Sequence, residues 1–228
     1  MSEHPLDRPV WRALTGRQAA LAVVDGPARR FAPDYGPLAA AADGSAASWA
    51  ALARLNPPDG GLGLLEADMA PPPPGLAAED AECWQMVAED VAPGPIDEDA
   101  FEILELGDAD AAEMLVLATL TRPGPFAAAT HRLGGFVGVR EAGRLIAMAG
   151  ERMKPEGFAE VSGVCTLPER RGRGLAGRLM RVVMGRIAAR GETPFLHSYA
   201  ANTGAIALYE SLGFRYRRSM TFRVLGPR

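Results

Sequence analysis

The chain has 228 residues, of which 48% are hydrophobic, and a formal net charge of −4. This length allows one large or two modest domains, and the acidic balance gives no sign of nucleic-acid binding. Cys83 and Cys165 are too far apart to predict a disulfide framework, and neither a secretory signal nor a bilayer-spanning apolar run is seen. We therefore expect a cytoplasmic protein that has no membrane partner.

The first half of the chain alternates short apolar runs with one helical segment and several turn signals. A proline-rich, acidic stretch at residues 89–100 follows and is the best linker candidate. We therefore predict an N-terminal α+β domain over residues 1–95 and a second domain over residues 96–228. The predicted elements of the first half are strands at 19–24, 28–32, 62–66 and 83–88, and a helix at 45–55.

The sequence of the second half predicts secondary-structure elements in the order β-α-β-β-β-α-β-α-β. Its first helix starts at Asp110, with Glu113 three residues later as in a capping box. The strands on either side of the helix at 174–190 should be parallel, because a helical crossover joins them. The fold class expected is α/β, an α+β mixed sheet. The predicted strands are 101–106, 136–140, 144–150, 158–166, 195–200 and 216–225, the helices are 110–120 and 174–190, and a closing helix and turn occupy 202–214.

Residues 161–177 run from an apolar strand through a glycine-rich turn into an amphipathic helix. Such a turn leaves main-chain N–H groups unpaired at the positive end of the helix dipole, which is a ready site for phosphate. Arg170, Arg171 and Arg173 add positive charge beside it. The segment therefore predicts a bound anion, in particular the diphosphate of a nucleotide or coenzyme.

Two familiar phosphate motifs fit this turn poorly. Gly172, Gly174 and Gly177 match the spacing of the dinucleotide fingerprint, which would suggest a dehydrogenase. That motif requires an acidic residue near the end of the next strand, and residues 195–198 contain no carboxylate. The nucleoside-triphosphate loop requires Gly-Lys followed by Ser or Thr, which the turn lacks.

A third motif fits better. Arg171-x-x-Gly174-x-Ala176 follows the pattern Arg/Gln-x-x-Gly-x-Gly/Ala and resembles the acetyl-CoA loop of the GNAT superfamily of N-acetyltransferases. Residues 161–166, 195–200 and 202–214 resemble that family's fourth strand, fifth strand and closing helix. The resemblance covers about residues 101–228. The first half reads equally as a degenerate copy of this fold or as an unrelated α+β cap or dimerisation domain, so a homodimer stays an open alternative.

The resemblance implies acetyl-CoA as co-substrate and assigns residues to its binding. The main chain of the fourth strand would hold the pantetheine arm, the turn would hold the pyrophosphate, and Asn202 would contact the coenzyme as well as cap its helix. Tyr209 would donate a proton to the departing thiolate. The implied coenzyme-binding residues are Val164, Cys165, Thr166, Arg171, Gly172, Arg173, Gly174, Leu175, Ala176 and Asn202.

The general base is less well defined by the sequence. Glu160 shares strand parity with Val164, so it either faces the cleft as the base or lies in solvent at the strand edge. His197 is the other candidate, although a lone strand histidine is more often structural. Glu151 and Arg152 are candidates for the acceptor groove.

Together these observations predict an enzyme that moves an acetyl group from acetyl-CoA to a primary amine by direct attack in a ternary complex. The acceptor would be a small-molecule or peptide amine, and Cys165 would be a buried, inert thiol. No cluster of residues has metal-ligand spacing, so we expect no metal. The alternative is a non-catalytic acyl-CoA sensor or binding module.

Overall fold

The computed structural model describes residues 4–58, 61–91 and 101–226. Parallel and antiparallel strands share one sheet, which confirms the predicted mixed α/β class. The strands are β1 Ala22–Asp25, β2 Ala28–Phe31, β3 Leu38–Ala41, β4 Leu62–Glu66, β5 Ala78–Val87, β6 Leu104–Leu106, β7 Phe136–Glu141, β8 Arg144–Glu151, β9 Phe158–Thr166, β10 Thr193–Tyr199 and β11 Arg215–Leu225. The α-helices are α1 Pro9–Thr15, α2 Ala46–Leu55, α3 Ala111–Thr121, α4 Leu175–Ala189 and α5 Thr203–Ser211.

The two halves of the chain repeat one topology and exchange their last strands. In each half an antiparallel three-strand unit leads through a helix to a parallel strand: β1-β2-β3, α2 and β4, then β7-β8-β9, α4 and β10. Strand β11 of the second half then pairs with β4, while β5 of the first half pairs with β10. Strands β5 and β11 pair with each other at the centre of the sheet.

This repetition is the arrangement expected of a degenerate second copy of the fold, but the halves do not form separate sheets. The predicted linker at 89–100 and the division at residue 95 fall largely outside the described residues. The boundary between the two predicted domains therefore stays a prediction.

A cleft opens where strands β9 and β10 diverge. The two strands are parallel, as predicted, and pair only from Phe158 opposite Thr193 to Glu160 opposite Phe195. Beyond these residues β9 continues to Thr166 and β10 to Tyr199 without pairing to each other. The diverging ends leave room for a ligand at the carboxyl edge of both strands.

The matching gap in the first half is filled by an arginine. Arg8 donates from Nη1 to the carbonyl oxygen of Ala42 at 2.9 Å and from Nη2 to that of Ala41, at the end of β3. Its guanidinium also pairs with Glu66 at the end of β4, at 3.0 Å. Because this side chain bridges the ends of the two strands, the first half has no equivalent open cleft there.

The start of α2 is also occupied, by a carboxylate of the chain itself. Asp43 accepts hydrogen bonds from the Ser48 hydroxyl at 2.6 Å and the Ser45 N–H at 3.0 Å. The hydrogen bonds from Ser45 and Ser48 lower the pKa of Asp43 to about 2. An internal anion thus lies where the second half has its glycine-rich turn, and the first half resembles the second in topology alone.

Several local predictions were wrong in detail. The predicted strand at 19–24 begins only at Ala22, after a short 3₁₀ turn, and both α1 and the alanine-rich β3 were missed. The predicted capping box at Asp110 does not form, since Asp110 accepts from the N–H of Gly107 at 3.0 Å and Glu113 pairs with Arg140. Within the described ranges, no helix is long and apolar enough to cross a membrane.

Candidate functional site

The diverging ends of β9 and β10 border a cavity of about 580 Å³. Its walls come from both strands, from the turn before α4, from α5 and from the segment that follows α3. First-half residues also contribute, including Leu38, Leu65 and Cys83. The cleft is therefore built by both halves of the chain.

A β-bulge shapes the β9 wall. The register between β8 and β9 shifts between Met148 and Gly150, opposite Gly163, whose φ is +64°. A Cβ at position 163 would lie 2.8 Å from the ring of Phe136, so neither the backbone angle nor the space admits a side chain. The bulge interrupts the ladder with β8 and leaves main chain near Val164 at the cavity without a strand partner.

The glycine-rich turn presents a row of unpaired donors. Gly172 and Gly174 have φ values of +75° and +73°, and α4 begins directly after them without a side-chain cap. Among the described residues, no main-chain acceptor receives the N–H groups of residues 172–177. These donors and the positive end of the helix dipole lie together where the sequence predicts an anion site.

The three arginines of the turn have different surroundings. Arg170 and Arg173 both pair with Glu141, and Arg173 also lies over the ring of Phe101 at 4.6 Å. Arg171 lines the cavity, and its Nε lies 3.4 Å from the carbonyl oxygen of Thr166. Of the three side chains, Arg171 is the one that lines the cavity.

The end of β9 supplies polar groups that fit the coenzyme expected from the sequence. Val164, Cys165 and Thr166 all line the cavity, and the buried Thr166 hydroxyl has no hydrogen-bond partner in the described structure. Burial raises the pKa of the Cys165 thiol to about 11, so the thiol stays protonated. An unsatisfied hydroxyl beside an amide-rich turn fits a ligand that carries both amides and a diphosphate.

Helix α5 places two predicted residues on the same cavity. Asn202 caps the helix, accepting from the N–H of Ala205 at 3.4 Å, and it lines the cavity as well. Tyr209 lies two turns further on, and its ring meets that of Phe214 edge-on at 6.3 Å. Burial raises the pKa of Tyr209, and its hydroxyl makes no hydrogen bond to a described residue. The phenol is therefore protonated at neutral pH and free to donate into the cleft.

Glu160 lies at the floor of the cleft in a buried ion pair. Arg152 approaches it with two nitrogens, each at 2.8 Å from a carboxylate oxygen, and His197 Nδ1 lies 2.8 Å from Oε1. Burial opposes ionisation, but the charge of Arg152 and the hydrogen bonds from Arg152 and His197 outweigh it and lower the pKa of Glu160 to about 2. A carboxylate with this pKa is a weak base, and both of its oxygens already accept hydrogen bonds.

His197 is held from the first half of the chain. Its Nε2 lies 3.0 Å from the side-chain nitrogen of Gln85, which also donates to the Leu6 carbonyl oxygen at 2.8 Å. The other atom of this amide, Oε1, accepts from Arg217 at 2.7 Å, which fixes its orientation. Because an amide nitrogen only donates, Nε2 accepts and the ring proton lies on Nδ1, facing Glu160. The lone pair that His197 would use as a base is therefore occupied.

The fold separates Glu151 and Arg152, the two residues that the sequence suggested for contact with the acceptor. Arg152 lines the cavity, whereas Glu151 pairs with Lys154 and Arg190, each at 2.9 Å, and does not line it. The segment Pro123-Gly124-Pro125 and Arg122 before it form a cavity wall that the sequence did not predict. The left-handed Arg122, at φ +51°, gives no recognisable signal in the sequence.

Comparison with known proteins identifies the family. The family model described as FR47-like protein matches residues 136–224. A crystal structure from Novosphingobium aromaticivorans DSM 12444, assigned to the GNAT acetyltransferases, shares 53% identity over 99% of this chain and 100% of its own, with a TM-score of 0.91. This chain belongs to the GNAT acetyltransferase family.

A more distant relative shows how far the GNAT fold extends. A GCN5-related N-acetyltransferase from Kribbella flavida is 18% identical, covers 95% of each chain and has a TM-score of 0.63. At this identity the likeness concerns the fold alone, and it includes both halves of this GNAT chain. Comparison with the curated proteins gives no significant match.

Proposed function

We propose that this GNAT protein is an acetyl-CoA-dependent N-acetyltransferase that acetylates a primary amine by direct attack in a ternary complex. One observation carries the proposal: a single cavity joins an anion-binding turn at one end to the unpartnered hydroxyl of Tyr209. A protein that only bound the coenzyme would need the turn but would have no use for a proton donor in the same cavity.

The geometry supports an assignment of residues to the coenzyme. The N–H groups of the turn and the guanidinium of Arg171 would bind the pyrophosphate, while the β9 main chain at Val164 and the Thr166 hydroxyl would bind the amides of the arm. Asn202 would contact the coenzyme from the start of α5. When bound, acetyl-CoA supplies an activated acetyl group, whose carbonyl carbon gains a bond to nitrogen and loses its bond to sulfur.

Tyr209 would stabilise the sulfur as negative charge develops there. On ordinary pKa values of about 10 for a phenol and about 8.5 for a thiol, full proton transfer is uphill by about 2 kcal/mol. The hydrogen bond from the hydroxyl therefore provides much of the stabilisation, and the transfer is completed as the amine gives up its own proton. The net reaction converts amine and thioester into amide and free thiol.

The amine must be neutral to attack, and the cleft favours that form. Arg122 lines the cavity and makes no ion pair with a described residue, and nearby positive charge lowers the pKa of an ammonium group. We propose that Glu160 serves catalysis as a positioning residue, which holds Arg152 and His197 in place, while the proton of the amine leaves through water.

The coenzyme assignment predicts the effect of reversing one charge. Arg171→Glu should weaken CoA binding about ten- to a hundredfold, because it replaces a phosphate-binding cation with an anion. Isothermal titration calorimetry with CoA measures the change. The matched control is Arg144→Glu, since Arg144 is 60% exposed and lies outside the cleft. If Arg171→Glu binds CoA with unchanged affinity, the assignment of the pyrophosphate to this turn is wrong.

Turnover separates the enzyme from an acyl-CoA sensor. Purified protein given acetyl-CoA and a panel of primary amines should release free CoA, detected with a thiol reagent, and only when an amine is present. Coenzyme binding by calorimetry without thiol release for any amine would contradict the enzymatic proposal and favour the sensor.

A further inference from the structure

A second cavity of about 560 Å³ adjoins the cleft and continues it towards the first half of the chain. The two cavities share the lining residues Arg122, Gly124, Pro125, Tyr199 and Phe222. We call this second cavity the acceptor groove, defined by those five residues together with Phe126, Val224 and the first-half residue Pro37. No residue of the glycine-rich turn lines it, so it leaves the anion-binding part of the cleft free and offers a separate path for an acetyl acceptor.

The acceptor groove is mostly apolar, and its polar side chains are those of Tyr199 and Arg122. Proline, phenylalanine and valine side chains make up most of its wall, and Arg122 is the one charged residue among those that line it. Its guanidinium makes no hydrogen bond or ion pair with a described residue. An arginine on an apolar wall without a counterion is an open site for an anion.

The floor of the cleft does not supply the missing negative charge. Glu160 is the one carboxylate that lines either cavity in the described structure, and Arg152 and His197 occupy both of its oxygens. Nη1 of Arg152 makes no hydrogen bond there and faces Gly124, at 4.0 Å from where a Cβ would stand. Two guanidinium groups therefore adjoin the same short segment; Glu160 balances that of Arg152, and no carboxylate that lines either cavity balances that of Arg122.

The backbone of Arg122 strengthens this argument. It ends α3 in the left-handed conformation, with a φ of +51°, where a non-glycine residue costs about 1 kcal/mol. Glycine would remove that cost, and the exposed side chain packs in no core cluster. Strain that is kept at the mouth of a cavity points to a function for the side chain.

We propose that the acceptor is an α-amino acid with an apolar side chain, whose carboxylate binds Arg122 and whose side chain lies along the wall formed by Pro125, Phe126 and Phe222. This inference rests on the proposed function. A carboxylate offsets the repulsion between the ammonium group and the Arg122 guanidinium, which a simple alkylamine cannot do.

The test compares phenylalanine with phenylalanine amide, which differ in the carboxylate. The ratio of their kcat/KM values should fall about tenfold or more in Arg122→Gln, because a charge-assisted hydrogen bond is lost. Arg122→Lys should recover part of the ratio, and the exposed control Arg144→Gln should keep the wild-type ratio. A ratio that is the same in wild type and Arg122→Gln would overturn the proposal, as would turnover of peptide N-termini alone.

Product binding distinguishes failure of this inference from failure of the enzymatic proposal. N-acetylphenylalanine should bind the CoA-loaded protein about tenfold more tightly than its amide, and this preference should vanish in Arg122→Gln. That result would support carboxylate recognition even if no amine were turned over. Equal binding of acid and amide would overturn carboxylate recognition by Arg122. Acetylation of amines without a carboxylate at full efficiency would also overturn it, but would support the proposed N-acetyltransferase function.

Discussion

Replacing Tyr209 with phenylalanine should lower kcat about a hundredfold and leave the dissociation constant of CoA within about twofold. The ring stays in place against Phe214, so the packing at the cleft survives. The hydroxyl, which has no other partner in the described structure, is lost. Stopped-flow or steady-state assays of thiol release give kcat, and calorimetry gives the affinity for CoA.

A matched control and a pH profile sharpen this test. Tyr216→Phe removes another hydroxyl from a half-exposed ring that packs edge-on against Trp84 outside the cleft, and kcat should not change. Because burial raises the pKa of Tyr209, the wild-type rate should show no loss from tyrosine ionisation below about pH 10. Equal turnover by Tyr209→Phe and wild type would exclude Tyr209 from the mechanism.

Replacing Glu160 with glutamine should destabilise the protein by about 3–5 kcal/mol, because it leaves the buried Arg152 guanidinium without its counterion. Glu160 is 1% exposed, so solvent cannot take over this role. Urea unfolding followed by circular dichroism measures the free energy of unfolding. Glu169→Gln is the control, since its exposed pair with Arg144 at 3.4 Å contributes about 0–1 kcal/mol.

The ion pair between Glu160 and Arg152 also predicts how the stability of the protein changes in acid. The pKa of Glu160 is lowered by folding from 4.5 to about 2. The contribution of Glu160 is therefore fully present above the unfolded pKa and is lost as the pH falls through the folded pKa. The difference in unfolding free energy between wild type and Glu160→Gln should shrink as the pH is lowered from 5 towards 2. A difference that stays constant over this range would contradict the ionised pair.

The sequence by itself predicted the local features of the second half. Helix α4, the β7-β8 hairpin and the bounds of β9 follow from apolar periodicity and turn residues, which act within a few positions along the chain. The turn from Arg171 to Ala176 was readable for the same reason. Its donors are unpaired because a strand, two glycines in the left-handed region and a helix follow one another directly.

The tertiary structure alone decided how the two halves are joined. No residue pattern predicts that β5 inserts between β10 and β11. In sequence, β5 lies more than 100 positions before the residues of β10 and β11 with which it pairs. The same holds for Gln85, which orients His197, and for Arg8, which fills the gap between β3 and β4. Each contact is long-range, and the energy that selects it comes from burial and pairing across the whole sheet.

The role of Glu160 shows most clearly what the sequence alone could not determine. Strand parity placed it at the cleft but left open whether it was a base or a solvated edge residue. Its ionisation depends on Arg152, eight positions earlier, and on His197 across the splayed strands, and so on distances that only folding sets. The sequence thus determined the phosphate turn and the order of elements, whereas the fold decided the electrostatics of the floor and the walls of the acceptor groove.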